Sequence, residues 1–216
     1  MKVAIIGADR QDGSVIVRSC ECRGIQTVSV IEELAPVPGE GRVLIKSLKD
    51  LRAEDFEDVS TVIDPVSFAE DCALRPSRIP LLYLLELLRG TGRRLLILGS
   101  VGCLYADALR NKRVFEENFL EGAQGSSPAQ RLHARLFKKL QSERDVMWTL
   151  LCPPLIREDA EHKTGHYEFS DDVLPMGADG SSVISNYDLA DAAAELLKRG
   201  LKPFSVVSVR STLSLR

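Results

Sequence analysis

A chain of 216 residues can bury roughly 70% of its unfolded surface, enough for one doubly wound sheet without a second domain. Its 44% hydrophobic and 27% charged residues exclude disordered and fibrous classes. A formal net charge of −3, with basic residues scattered rather than striped, speaks against a nucleic-acid partner, and the longest apolar run, 79–88, is too short and too interrupted by Glu86 to span a bilayer.

The opening residues carry one lysine and an apolar run that stops at Gly7, too brief for a signal peptide. The five cysteines, Cys20, Cys22, Cys72, Cys103 and Cys152, are odd in number and lack the paired spacing of a disulfide framework or zinc site. Cys20 and Cys22, two apart on a helix, point to different faces. A reducing, cytoplasmic compartment is the expectation, with no metal and no membrane partner.

In chain order, Lys2–Ile6 reads as a strand, a glycine turn follows, and Ser14–Cys22 reads as a helix closing at Gly24. Thr27–Ile31 restores strand character before the loop Ala35–Gly41. Val43–Ile45 reads as a third strand, Ala53–Phe56 as a helical turn and Thr61–Ile63 as a fourth strand ending at Asp64-Pro65. Ile79–Arg89 is an apolar helix stopped by Gly90-Thr91-Gly92, and Arg94–Leu98 is a strand apolar enough to be covered on both faces. Ala129–Arg144 follows a Ser-Ser-Pro start as an amphipathic helix with Leu132, Leu136, Phe137 and Leu140 on one stripe. Val146–Leu151 is the next strand, ended by Pro153-Pro154; a strand near His166–Phe169, a helix over Asp188–Leu197 and a strand over Phe204–Val209 complete the chain.

Strands alternating with helices at this spacing predict an α/β fold: a doubly wound, mostly parallel Rossmann-type sheet with helices on both faces, residues 1–216 forming one domain whose last part, about 153–216, completes the substrate side. Ligands in such sheets sit beyond the strand C-termini at the point where strand order reverses. Candidate residues should therefore follow strand ends.

Gly7-Ala8-Asp9-Arg10-Gln11-Asp12-Gly13 occupies the first strand-to-helix turn, where a dinucleotide-binding loop needs glycines for tight geometry, close backbone approach and helix packing. With Ser14 it is similar to the aliphatic strand and GATGxxG that open the atypical short-chain dehydrogenases/reductases, a group of NAD(P)-binding Rossmann proteins that includes NADH-flavin reductase-like and NAD-dependent epimerase/dehydratase-like members. Gly7, Ala8 and Gly13 match. The resemblance continues through Arg94–Gly102, through Val146–Pro154 with its WT…PP element, and through Thr164–Tyr167 and Val183–Ala190, which are similar to TGxY and ISxxDxA segments.

The departure is Arg10, which stands where the family has its middle glycine, flanked by the carboxylates of Asp9 and Asp12. Two readings stay open: Arg10 swings outward and pairs with a diphosphate held by the helix N-terminal amides, or the loop is a structural relic. Glu32, after the second strand, is placed to accept hydrogen bonds from the adenosine ribose hydroxyls and argues for NAD over NADP; its bland reading is a solvated carboxylate beside Glu33.

The glycine turn and the strand ends give a candidate cofactor site of Gly7, Ala8, Arg10, Gln11, Gly13, Ser14, Glu32, Pro65, Ser100 and Pro153, and a substrate side of Gly102, Tyr105, Pro154 and Leu155; Glu32 is a second departure, since the related reductases often have a basic residue near that place. Tyr105 reads first as a packing ring and second as part of the substrate side. None of Tyr83, Tyr105, Tyr167 or Tyr187 is followed by a lysine four residues on, so the usual Tyr-x-x-x-Lys acid-base pair is missing. A flavin-like or quinoid acceptor can still take hydride from a reduced nicotinamide, with solvent supplying the proton. His133 reads as a surface or packing residue, and His162 and His166 fall in a charged loop with Asp159 and Glu161 that resembles a metal cluster only superficially. Gly99-Ser100-Val101-Gly102 is one residue short of a G-x-S-x-G elbow, which sets aside Ser-His-Asp hydrolysis.

Two functions remain: an NAD(P)-dependent oxidoreductase, alone or as a homodimer, or a non-catalytic nucleotide sensor or protein-interaction module with a degenerate loop.

Overall fold

The structure, a computed structural model, describes residues 1–69, 71, 79–116, 127–158 and 162–213. Cys72, Asp159 and Glu161 lie outside the described residues. In chain order the elements are β1 (Lys2–Ile6), α1 (Gln11–Cys22), β2 (Gln26–Ile31), β3 (Arg42–Ile45), β4 (Thr61–Asp64), α2 (Pro80–Leu88), β5 (Arg94–Leu98), α3 (Pro128–Ser142), β6 (Met147–Cys152), β7 (Ile156–Glu158), β8 (Tyr167–Ser170), β9 (Val183–Ser185), α4 (Asn186–Arg199) and β10 (Ser205–Ser211), with short 3₁₀ turns at Leu48–Asp50, Ala53–Phe56 and Val101–Cys103.

Eight strands form one sheet in the order β3-β2-β1-β4-β5-β6-β10-β8, parallel throughout except for β8, which runs antiparallel to β10. β7 and β9 form a separate parallel pair. The strand order reverses between β1 and β4, so a crevice opens where their C-terminal ends diverge.

Two cores flank the sheet, and the period of two along each strand assigns side chains between them. Ala4, Ile6, Leu95, Ile97, Trp148 and Leu150 face α2 and α3. Val3, Ile5, Leu96, Leu98 and Leu151 face α1 and α4. That double burial explains why the central strands read as continuous apolar runs. On α2, Leu81, Leu84, Leu85 and Leu88 are buried, whereas Leu82 and Tyr83 are exposed.

α3 begins at a capping box: the Ser127 hydroxyl accepts from the Gln130 amide at 3.1 Å while the Gln130 side chain accepts from the Ser127 amide at 2.8 Å. It stops at Ser142 because Glu143 is extended, two residues before the periodicity suggested. α1 begins three residues earlier than its apolar pattern, since Gln11, Asp12 and Gly13 form a polar first turn. β7, β9 and the Val101–Cys103 turn went unforeseen: three residues carry too little pattern to register.

A polar cluster locks α1 to α4. Arg23 donates to both Asp191 oxygens at 2.9 and 2.7 Å, and the Tyr167 hydroxyl donates to Asp191 at 2.9 Å and Glu195 at 2.8 Å. Burial pushes the Asp191 carboxyl upward, but hydrogen bonds from Arg23, Tyr167 and Lys163 outweigh it and hold the group below its ordinary value. A carboxyl depressed in the folded state stabilises the fold above its unfolded value and loses that contribution as pH falls through the folded value. Arg23→Met should therefore lower stability at neutral pH by about 2–4 kcal/mol, because Asp191 stays buried with its main cation gone. Denaturant titration below pH 4 should find the gap narrowing; a constant gap would show that Asp191 is not the linked group.

Candidate active site

The crevice is built from strand ends. At the end of β1, Gly7 takes φ +63°, a left-handed conformation that side chains resist, and its amide and that of Ala8 donate to the Val30 carbonyl at 2.9 and 3.3 Å, tying the turn to β2. Arg10 closes the turn by donating its amide to the Gly7 carbonyl at 3.0 Å. It then serves as N-cap of α1 with φ −83° and ψ 162°, extended backbone that any residue adopts, so the position does not need glycine for its conformation. Gly13 does need to be glycine, for space: a Cβ there would lie 2.1 Å from the Gly7 carbonyl oxygen.

α1 is not capped by the side chain of its own N-cap residue, Arg10. Its first amides face the crevice with the positive end of the helix dipole behind them, the arrangement that receives a phosphate. Two ion pairs flank this end. The Arg10 guanidinium lies 2.7 and 2.6 Å from the two oxygens of Asp71. Arg157 of β7 reaches the two oxygens of Asp12 at 2.6 and 3.2 Å. Asp12 is thus neutralised by a residue from far along the chain.

Two cavities meet at the Arg10–Asp71 pair, which lines both. The smaller, about 310 Å³, runs from Gly7 along the end of β2 past Val30, Ile31 and Glu32, with Lys46 and Leu48 opposite. The larger, about 1200 Å³, spreads over the ends of β4, β5 and β6. Its walls are flat and apolar at Phe68, Pro153, Pro154 and Leu155, with polar groups from Ser100, Gln130, His133, Arg157 and Asn186 between them.

Asp64, fully buried at the end of β4, shapes the floor: one oxygen accepts from the Val66 and Ser67 amides at 2.9 and 3.0 Å and the other from the Ser67 hydroxyl at 2.5 Å. Burial raises its carboxyl above the usual range despite these bonds. The Ser67 hydroxyl in turn accepts the Leu81 amide at 2.8 Å, anchoring the start of α2.

Most residues singled out from sequence come together here. Gly7 and Glu32 line the smaller cavity; Gln11, Gly13, Pro65, Ser100, Pro153, Pro154 and Leu155 line the larger; Arg10 lines both. Ala8 is fully buried behind the turn, and the Ser14 hydroxyl donates back to the Gln11 carbonyl at 2.9 Å. Gly102 and Tyr105 are not among the lining residues. The Arg113 guanidinium lies 3.9 Å from the centroid of the Tyr105 ring, and Tyr105 bridges Arg113 and Val173 through its backbone. The Thr164–Tyr167 and Val183–Ala190 segments serve mainly as scaffold: Asp188 accepts from the Thr164 and Gly165 amides at 2.8 Å each and caps α4 with Ser185.

His133, Gln130, Arg157 and Asn186 also line the larger cavity and were not singled out for it from the sequence. His133 carried a signal: it stands three, four and seven residues before Leu136, Phe137 and Leu140, on the same buried stripe of α3. Arg157 carried none, because its partner is remote in sequence. Among the described residues no three His, Cys, Asp or Glu side chains could hold a metal ion, and no helix is long and apolar enough to cross a membrane.

No protein-family model matches the chain. It is 27% identical over 202 residues to the uncharacterized protein YwnB of Bacillus subtilis (strain 168), covering 92% of each. Its structure is similar to the crystal structure of "a putative NADH-flavin reductase" from Streptococcus pneumoniae TIGR4, with TM-score 0.87 and 25% identity over 98% of this chain and 100% of that one. It is also similar in fold to a "putative epimerase" from Bacteroides thetaiotaomicron, with TM-score 0.81 and 18% identity over 100% and 99% of the two chains. Fold, strand order and these likenesses show a Rossmann-type fold and agree with the resemblance to the atypical short-chain dehydrogenase/reductase group.

Proposed function

We propose that the chain is an NAD(P)H-dependent reductase that passes hydride from a nicotinamide cofactor to a flavin-like or quinoid small molecule, with NADH preferred. The observation that carries this reading is the start of α1, which the Arg10 side chain does not cap, set between a cleft of about 310 Å³ ending at Glu32 and a cavity of about 1200 Å³ in which Phe68, Pro153, Pro154 and Leu155 alternate with polar side chains. The residues present fit a dinucleotide. Gly7 and Gly13 keep the helix amides accessible, Glu32 is placed to accept the ribose hydroxyls and would repel a 2′-phosphate, and Ser100 and Pro153 flank the nicotinamide end. The Arg10–Asp71 pair crosses the path and must exchange Asp71 for the diphosphate.

Bound nicotinamide supplies the hydride; the protein orients two rings against each other and excludes water. Pro153, Pro154, Leu155 and Phe68 supply the apolar walls that a flat acceptor needs. We read residues 1–216 as one domain, because the part from Pro153 onward supplies Arg157 and Asn186 to the cavity that the earlier strands begin. The likeness to the Streptococcus reductase supports a reductase; the alternative of a non-catalytic sensor or interaction module is not favoured by it.

Calorimetric titration with NADH and NADPH, followed by NADH oxidation with riboflavin or a naphthoquinone, tests the reading. The expected result is NADH binding at least tenfold tighter than NADPH, with acceptor-dependent turnover. Absence of both binding heat and a nucleotide-induced thermal shift would overturn it.

A further inference from the structure

We infer that Arg157 is a positioning residue for nucleotide binding: it neutralises Asp12, the carboxylate that would otherwise repel a diphosphate from the first turn of α1. The inference rests on the reductase reading and deepens it, giving the C-terminal part of the chain a role at the cofactor end. Asp12 is the second residue of α1 and lines the larger cavity together with Arg10 and Gly13. A carboxylate in the first turn of a helix lies near the free amides and the positive end of the dipole, and it stabilises the helix while no ligand is bound. The same carboxylate opposes an anion that needs those amides. Its side chain is 22% exposed, against 55% for Asp71, so water screens the Asp12 charge less and solvation alone does not remove the conflict.

Arg157 resolves the conflict from outside the turn. Its Nη2 lies 2.6 Å from one Asp12 oxygen and its Nη1 3.2 Å from the other, a two-pronged contact that fixes the direction of the carboxylate as well as cancelling its charge. The backbone that carries it stands apart from the main sheet: β7 pairs in parallel with β9, with Arg157 opposite Ile184, and β9 leads directly into α4. A residue 145 positions further along the chain thus sets the charge at the start of α1. Among the described residues, the Arg, Lys, Asp and Glu side chains that line the larger cavity are two cations, Arg10 and Arg157, and two carboxylates, Asp12 and Asp71. When the diphosphate takes Arg10, Asp71 loses its partner; if Arg157 also let go, two uncompensated carboxylates would face the incoming anion. The two ion pairs therefore divide the work. Arg10 exchanges its partner, and Arg157 keeps its own.

The test titrates NADH, by calorimetry at low salt, into the full chain and into Arg157→Gln, Arg157→Lys, Asp12→Asn, and Arg157→Gln combined with Asp12→Asn. Arg157→Gln should weaken NADH binding about tenfold, a loss that shrinks as salt rises, while Arg157→Lys, which keeps the charge, should stay within about threefold of the parent. Asp12→Asn should bind at least as tightly as the parent. The combined variant should return to within about threefold of the parent, because the charge that needed cancelling has gone, and this rescue is a readout that a merely structural role for Arg157 would not produce. A combined variant as weak as Arg157→Gln alone would overturn the inference, since Arg157 would then act on the ligand or on the fold and not through Asp12. So would Arg157→Gln binding within twofold of the parent, or Asp12→Asn binding more weakly than it. In each of these cases the parent still binds NADH and the reductase reading stands; a parent that binds no nucleotide overturns both.

Discussion

Asp71→Asn should tighten NADH binding about tenfold, and Arg10→Ala should weaken it by a similar factor, in calorimetric titrations at low salt. In the Arg10–Asp71 pair the side chains are 39% and 55% exposed. An ion pair that open to water is worth about 0.2–1 kcal/mol, little enough for a diphosphate to displace the carboxylate from the guanidinium. Removing the Asp71 charge abolishes both the competition for Arg10 and the repulsion of an approaching anion; about 1.4 kcal/mol corresponds to the tenfold gain. Removing Arg10 instead leaves Asp71 uncompensated across the same path. If Arg10 were an obstruction, the signs would reverse, with Arg10→Ala tightening binding. The gain in Asp71→Asn should shrink as salt rises, since screening weakens exposed charges first.

Gly13→Ala should be among the most damaging single methyls at the described glycines. The added Cβ would sit 2.1 Å from the Gly7 carbonyl oxygen, 2.8 Å from its carbon and 2.9 Å from the Ala8 Cα. All three are backbone atoms of a turn fixed by bonds to β2, so nothing can rotate aside. Separating α1 from β1 would break the contact that seats Val15 and Ile16 in the core. A cost of about 3 kcal/mol or more is expected, and at about 2–4 °C per kcal/mol for a chain of this size the midpoint should fall by about 6–12 °C in a thermal scan. Nucleotide binding should be lost as well, because the helix amides would be displaced. A drop of less than 2 °C would mean that the turn is slack and the close approach of strand and helix is not obligatory.

The central strands were legible because burial on both faces writes itself as an uninterrupted aliphatic run; Arg94–Leu98 was read to the residue, and Lys2–Ile6 likewise. The strand ends then pointed to the crevice, and Gly7, Glu32, Pro65, Ser100 and Pro153 do line it. What stayed hidden depends on distance along the chain. Nothing near Arg10 announces Asp71, and nothing near Asp12 announces Arg157, since such pairs are set by tertiary proximity and not by any period. Tyr105 follows a strand end, and its reading as a packing ring agrees with the Arg113 guanidinium that covers it. His133 was read as a surface or packing residue, and its burial against the Phe68 ring agrees with packing.

The place of β10 has a consequence for biosynthesis. This strand, among the last described residues, inserts between β6 and β8, so Thr149–Cys152 have no neighbour on one side until Ser205–Ser208 have been made. A nascent chain halted before that point would display a row of unpaired backbone amides and carbonyls beside Trp148, Leu150 and Leu151, a ready template for pairing with another chain. The ribosome must therefore deliver Ser205–Ser208 before this adhesive margin of β6 is sealed.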